Sequence, residues 1–235
     1  ARVRLWDART GQPRSRPLHT GGVTAVAFGV VDGDPVIATG SREGSVQLWD
    51  ARTGWYLGRP LRGHKGGVVA VACGVVDGDP AIVTGGRDHT VRLWDARTDQ
   101  ARARPLTTVH TGEVVTMAFG VTDGDPVIAT GNADGTVRLW DARTGGACGN
   151  PLTGHTGSVL AVACGVIDAD PVIVSGGRDD TVRLWDARSM SLRLVIPALV
   201  EVNAVVVVPG GVAIAAGSSV LVVDVPGLHP QPAPA

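Results

Sequence analysis

Four histidines recur along this chain 45 or 46 residues apart: His19, His64, His110 and His155. Histidine is a common metal ligand and proton carrier, so the set invites a zinc or acid–base reading. Zinc sites gather ligands from short spacings or one concave cluster, and this spacing supplies neither. A second pattern pairs carboxylates in "DGDP", three times, and "DADP", once. These give Asp32 and Asp34, Asp77 and Asp79, Asp123 and Asp125, and Asp168 and Asp170. Alternating aspartates open a calcium loop, but the remaining oxygen ligands and the closing glutamate are missing. Arg9, Arg52, Arg97, Arg143 and Arg188, all from a repeated "DAR", are the expected counter-charges in exposed pairs. Such pairs contribute little to stability.

Other chemistry is poorly provided for. No Walker-type lysine loop, G-x-S-x-G or H-E-x-x-H is present. His89 and His229 stand outside the histidine set. Cys73, Cys148 and Cys164 are odd in number, and two of them take the place that Phe28 and Phe119 hold in sister segments. That reads as small apolar filling, and a reducing cytoplasm is the expected setting. The net charge is −1, and the arginines are neither clustered nor interleaved with aromatics. The expectation is therefore no nucleic-acid partner, no membrane, no cofactor, no metal and no catalytic residue. The longest apolar run, 204–216, is broken by Pro209, Gly210 and Gly211. Lys65 is the only lysine, and with the Ala, Gly and Val content this bias suggests a GC-rich, bacterial genome.

What positions the histidines is a repeat. "RVRLWDARTG" at 2–11 returns as "SVQLWDARTG", "TVRLWDARTD", "TVRLWDARTG" and "TVRLWDARSM". Its tryptophans, Trp6, Trp49, Trp94, Trp140 and Trp185, are spaced by 43, 45, 46 and 45 residues. Each period holds a buried-type strand ("VTAVAFGV"), a Gly-Pro turn ("DGDP"), a short strand ("VIATG"), a tight turn, a third strand ("SVQLWD") and a weaker outer strand ("WYLGRPL"). Four short antiparallel strands cannot bury both faces of one sheet, so neighbouring sheets must stack. Radial stacking gives a β-propeller.

"GH" before the first strand in "GHKGGV" and "GHTGSV", together with "WD" closing the third strand, resembles the WD40 repeat family up to about residue 225. The resemblance implies an all-β propeller of four-stranded antiparallel blades. Four full blades are expected at about 22–61, 66–106, 113–152 and 158–196. A partial blade at 1–18 precedes them, a degenerate blade at 201–225 follows, and 226–235 is a disordered Pro-rich tail. The chain then reads as the C-terminal part of a longer array. The alternatives are a five-bladed ring latched by 12–18 against 219–224, or closure between two copies through open blade edges.

The same resemblance implies buried polar tetrads. These are His64, Thr84, Asp88 and Trp94; His110, Thr130, Asp134 and Trp140; and His155, Ser175, Asp179 and Trp185. The set His19, Thr39, Glu43 and Trp49 departs at its acid. On the opposite face from the Asp-rich turns, family partner-reading positions map onto Gly22, Thr24 and Arg42; Gly67, Val69 and Arg87; Glu113, Val115 and Ala133; Ser158, Leu160 and Arg178. Arginines around a rim with Val69, Val115 and Leu160 nearer the strands suit an acidic peptide with an apolar anchor. The functional expectation is a non-catalytic protein-interaction scaffold. Its alternative is a sensor or regulatory domain controlling a protease, kinase or NTPase encoded upstream.

Overall fold

The structure is a computed structural model that describes residues 2–7, 9–14, 18–19, 22–98 and 113–225, with Arg2 and His19 described by backbone alone. Among these residues every regular element is a β-strand, and every pairing is antiparallel. Arg2–Val3 (β1) pairs with Leu18–His19 (β2), and a bridge from Trp6 to Pro13 extends the pair. The first blade is Val23–Val31 (β3), Asp34–Ser41 (β4), Ser45–Asp50 (β5) and Tyr56–Arg62 (β6), in that spatial order.

The second blade contributes Val68–Val76 (β7), Asp79–Gly86 (β8) and Val91–Asp95 (β9). The third contributes Val114–Thr122 (β10), Asp125–Asn132 (β11) and Val137–Asp141 (β12), with Ala147 and Leu152 bridged to Trp140 and Val137. The fourth is again four-stranded: Val159–Ile167 (β13), Asp170–Gly177 (β14), Thr181–Asp186 (β15) and Leu192–Pro197 (β16). Val202–Val208 (β17), Gly211–Ala216 (β18) and Ser219–Asp224 (β19) form the last sheet. The outer strand expected near 99–106 and the tail at 226–235 lie outside the described residues.

The "DGDP" turns are two-residue hairpins with positive φ at both positions, as at Asp32 (50°) and Gly33 (86°). That is the mirror-image turn whose twist matches the flanking strands, and aspartate and glycine tolerate it best. The fourth copy puts Ala169 at φ 67° in the glycine's place.

Each apolar core lies between two sheets. Val83, Val91 and Leu93 of the second blade pack on Val114, Ile128 and Trp140 of the third. Val137, Leu139 and Leu152 pack in turn on Val159, Ile173 and Trp185 of the fourth. A fully buried Val, Leu or Ile contributes about 1.5–3 kcal/mol, so each blade depends on its neighbours. The first strands of consecutive blades, β3, β7, β10, β13 and β17, stand side by side in chain order.

The opening pair follows the same logic, since Leu18, Val3 and Leu5 pack on Ile37 and Trp49. It therefore occupies the outer half of a blade. The alternative latch of 12–18 onto 219–224 is not formed among the described residues, because Leu18 is tied to Val3 of β1.

Candidate interaction face

Two polar tetrads are complete among the described residues. The Trp94 indole N–H donates to Thr84 Oγ1 at 2.9 Å, and that hydroxyl lies 2.7 Å from His64 Nε2. His64 Nδ1 lies 2.9 Å from the Asp88 carboxylate, which also accepts the Lys65 amide at 2.8 Å. The chain of bonds is consistent with a neutral imidazole protonated at Nδ1. Burial pushes the His64 pKa down against the opposing pull of Asp88. Burial works to raise Asp88, but bonds from His64, the Lys65 amide and Thr90 outweigh it and hold the carboxyl at about 2. The fourth blade repeats this with Trp185 on Ser175 (2.9 Å), Ser175 on His155 (2.8 Å) and His155 on Asp179 (2.9 Å).

The other two sets are seen in part. Trp49 donates to Thr39 at 2.9 Å and Trp140 to Thr130 at 3.1 Å. His110 lies outside the described residues, and the His19 side chain is likewise outside them. Asp134 accepts from the Thr136 amide and hydroxyl. Glu43 is exposed on its turn. Sequence reasoning missed Thr90 and Thr181, whose hydroxyls donate to Asp88 and Asp179 at 2.8 Å. The available signal was the hydroxyl two residues after each acid, in "RDHT" and "RDDT".

On one face the paired aspartates bind arginine. Each arginine reaches the second aspartate of its own blade, as in Arg52–Asp34, Arg97–Asp79, Arg143–Asp125 and Arg188–Asp170. Three of them also reach back to the preceding blade, giving Arg97–Asp32, Arg143–Asp77 and Arg188–Asp123. Bonds from arginine hold Asp32 and Asp123 below the usual carboxylate range. Among the described residues Arg9 has no carboxylate contact of this kind; its amide donates to Asp7. Cys73, Cys148 and Cys164 are free thiols, and burial raises Cys164 to about 12 and Cys73 to about 11.

The opposite face carries the expected partner-reading positions. In every blade the first strand slips register by one residue, between Val23 and Ala25, Val68 and Ala70, Val114 and Thr116, and Val159 and Ala161. The extra residues are Thr24, Val69, Val115 and Leu160, and a bulge re-aims its side chain at a sheet rim. Thr24 is exposed there, and the three aliphatic residues are half-buried. The Thr24 hydroxyl donates to the Val68 carbonyl of the next blade.

Thr24, Arg42, Gly67 and Arg87 line one depression of about 440 Å³. Its floor is open because position 67 has no side chain; a Cβ there would stand 3.1 Å from the Arg42 carbonyl oxygen. Glu113 and Ser158 occupy the equivalent place in the next two blades, and Ala133 replaces an arginine. Arg178 is held by Glu201 at 2.8 Å. That leaves Arg42 and Arg87, which are exposed and have no carboxylate partner among the described residues. A larger depression of about 500 Å³ runs beside Trp49, Gln47 and Tyr56, and among the described residues Arg59 is the one cation lining it.

The family model for the WD domain, G-beta repeat, matches residues 12–50, 55–95, 103–141 and 146–186, more than half of the chain. No curated protein matches it. Each matched unit ends on the tryptophan–aspartate pair of a third strand, at 49–50, 94–95, 140–141 and 185–186. Repeats of this family generally form non-catalytic scaffolds that bind proteins or peptides. With its blades, tetrads and matched repeats in agreement, the chain belongs to the WD40 repeat family.

Proposed function

We propose that the chain is a rigid interaction platform that reads an acidic peptide segment of a partner protein with its Arg42–Arg87 face. The observation that carries this reading is the depression between those two guanidiniums, floored by Gly67 and walled by Thr24. A carboxylate or other oxyanion there gains charge-assisted bonds from guanidinium groups. Val69, half-buried beside Gly67, offers an aliphatic contact for a neighbouring side chain of the peptide. Aromatic anchors are absent from this rim, which favours modest affinity.

An array of short peptides carrying Asp or Glu around one central leucine tests the reading. Wild-type chain should bind a subset, Arg42→Glu with Arg87→Glu should lose it, and Arg52→Glu on the opposite face should retain it. Equal binding by the double variant ends the proposal.

A second reading draws on the opening strand pair, which fills only the outer half of a blade. In it the chain is the closing part of a longer array and serves a regulatory role toward an effector in the same polypeptide. Intact mass of the natural protein, isolated from its source, tests this. A species longer than 235 residues with further repeats supports it, and a species of this length refutes it.

A further inference from the structure

One of the repeated contacts by which the blades dock sets a glycine of the first strand against a side chain of the next blade. Gly29 on β3 faces Cys73 of the next blade, and a Cβ at that glycine would stand 2.5 Å from the cysteine's own Cβ. Gly74 faces the Phe119 ring (2.1 Å), Gly120 faces Cys164 (2.3 Å) and Gly165 faces Val207 (2.5 Å). Each first strand therefore carries a knob that enters the hole left by a glycine on the preceding blade. No real side chain tolerates such distances, so the glycine is required.

Phe28 is the knob of β3, and among the described residues it has no hole. It is 64% exposed, and Val26 beside it is 50% exposed, whereas the matching Val71, Met117 and Val162 are each 8% exposed. The outer half of the same face is covered by the opening pair. Among the described residues nothing covers the inner half, which has room for two strands, the first with glycine opposite Phe28 if the repeated contact holds. The last blade cannot provide it. Counted from the bulge, β17 sets Val208 where β13 has Gly165: both follow the knob directly, four residues on from Ala204 and Ala161, the first paired residues past the bulge. Val208 thus fills the hole that Phe28 needs, in this chain or in a second copy presenting the same blade.

We infer that the Phe28 face is the seat of an antiparallel strand pair from a further repeat of the same polypeptide, selected by glycine opposite Phe28 and closed to the chain's own last blade. This rests on the longer-array reading for the source of the strands. The glycine rule itself comes from the contacts within this chain.

The test adds a second copy of residues 66–88 directly ahead of Ala1. Fusion there restores the distance from acid to tryptophan, so Trp6 follows the added Asp as Trp94 follows Asp88. The fused chain should melt at a higher temperature than the 235-residue chain. A version with valine for the added copy's glycine (the counterpart of Gly74) should lose the gain. Phe28→Ala should leave the melting temperature of the unfused chain nearly unchanged and lower that of the glycine fusion. As a readout independent of folding yield, Phe28→Cys should react rapidly with a thiol reagent in the unfused and valine-bearing chains, and slowly in the glycine fusion.

Equal gains from the glycine and valine versions, or equally fast labelling in all three, overturn the inference. Self-association of the unfused chain that slows labelling at position 28 also overturns it, by giving the seat to a second copy. If the fusion behaves as expected and the natural protein is only 235 residues long, the seat stands and the longer-array reading falls.

Discussion

Thr84→Val isolates the tetrad. Thr84 is fully buried, accepts the Trp94 indole N–H and donates to His64 Nε2. Valine fills nearly the same volume, so little cavity energy enters and the loss is polar. Two groups lose their partner in a space that the new methyl keeps dry, and each orphaned buried group costs about 1–3 kcal/mol. The sum is about 2–6 kcal/mol. Thr84→Ser keeps the hydroxyl and loses one methyl, for about 1 kcal/mol; the fourth blade already uses Ser175 in this role. Because repeat proteins unfold in segments, urea midpoints should be read together with hydrogen exchange of the tryptophan indoles by nuclear magnetic resonance. The Trp94 indole should exchange slowly in wild type and Thr84→Ser, and quickly in Thr84→Val. Valine as stable as wild type, or serine worse than valine, refutes the hydrogen-bond account.

Other outcomes follow from the same geometry. Ala169→Gly relieves a positive φ that alanine adopts at a cost, and should stabilise by about 0.5–1 kcal/mol in urea unfolding; a destabilised variant contradicts the turn assignment. The His64 and His155 pKa values lie below their unfolded value of 6.5, so the unfolded chain takes up protons first as pH falls. Stability should be full above that value and decline below it, with further loss under pH 3.8 as Asp88 titrates toward about 2; a melting temperature that is flat from neutral pH down to the unfolded carboxylate range refutes this. Arg97→Ala removes the contacts to Asp32 and Asp79, both exposed to solvent, and should cost little stability. That cost should vanish in about 1 M salt, where screening reaches a few ångströms.

The fold was legible because its landmarks do two jobs. A tryptophan every 45 residues or so packs between blades and also needs a hydroxyl for its N–H, so Trp94, Thr84, His64 and Asp88 keep fixed offsets in the chain. The turn chemistry of Asp32 and Gly33 is local and reads from two letters. What escaped depends on contacts between periods. Arg97 reaching Asp32 joins residues 65 apart, and the identical repeats give no sign of which aspartate it takes. Arg178 looked equivalent to Arg42 and Arg87 until Glu201, in a blade that has lost the motif, bonded to it. The glycine after each "AF" or "AC" was visible, but its purpose lies in the neighbouring blade.

The most direct measurement of the central claim is a charge swap at the Arg42–Arg87 depression. Calorimetry with the strongest acidic peptide from the array gives the starting affinity, and Arg42→Glu with Arg87→Glu should abolish it. The same peptide with its acidic residues changed to arginine should then bind the double variant and not the wild type. Restored binding establishes that this face reads charge on a partner peptide. A double variant that still binds the acidic peptide, or one that the swapped peptide fails to rescue, contradicts the account.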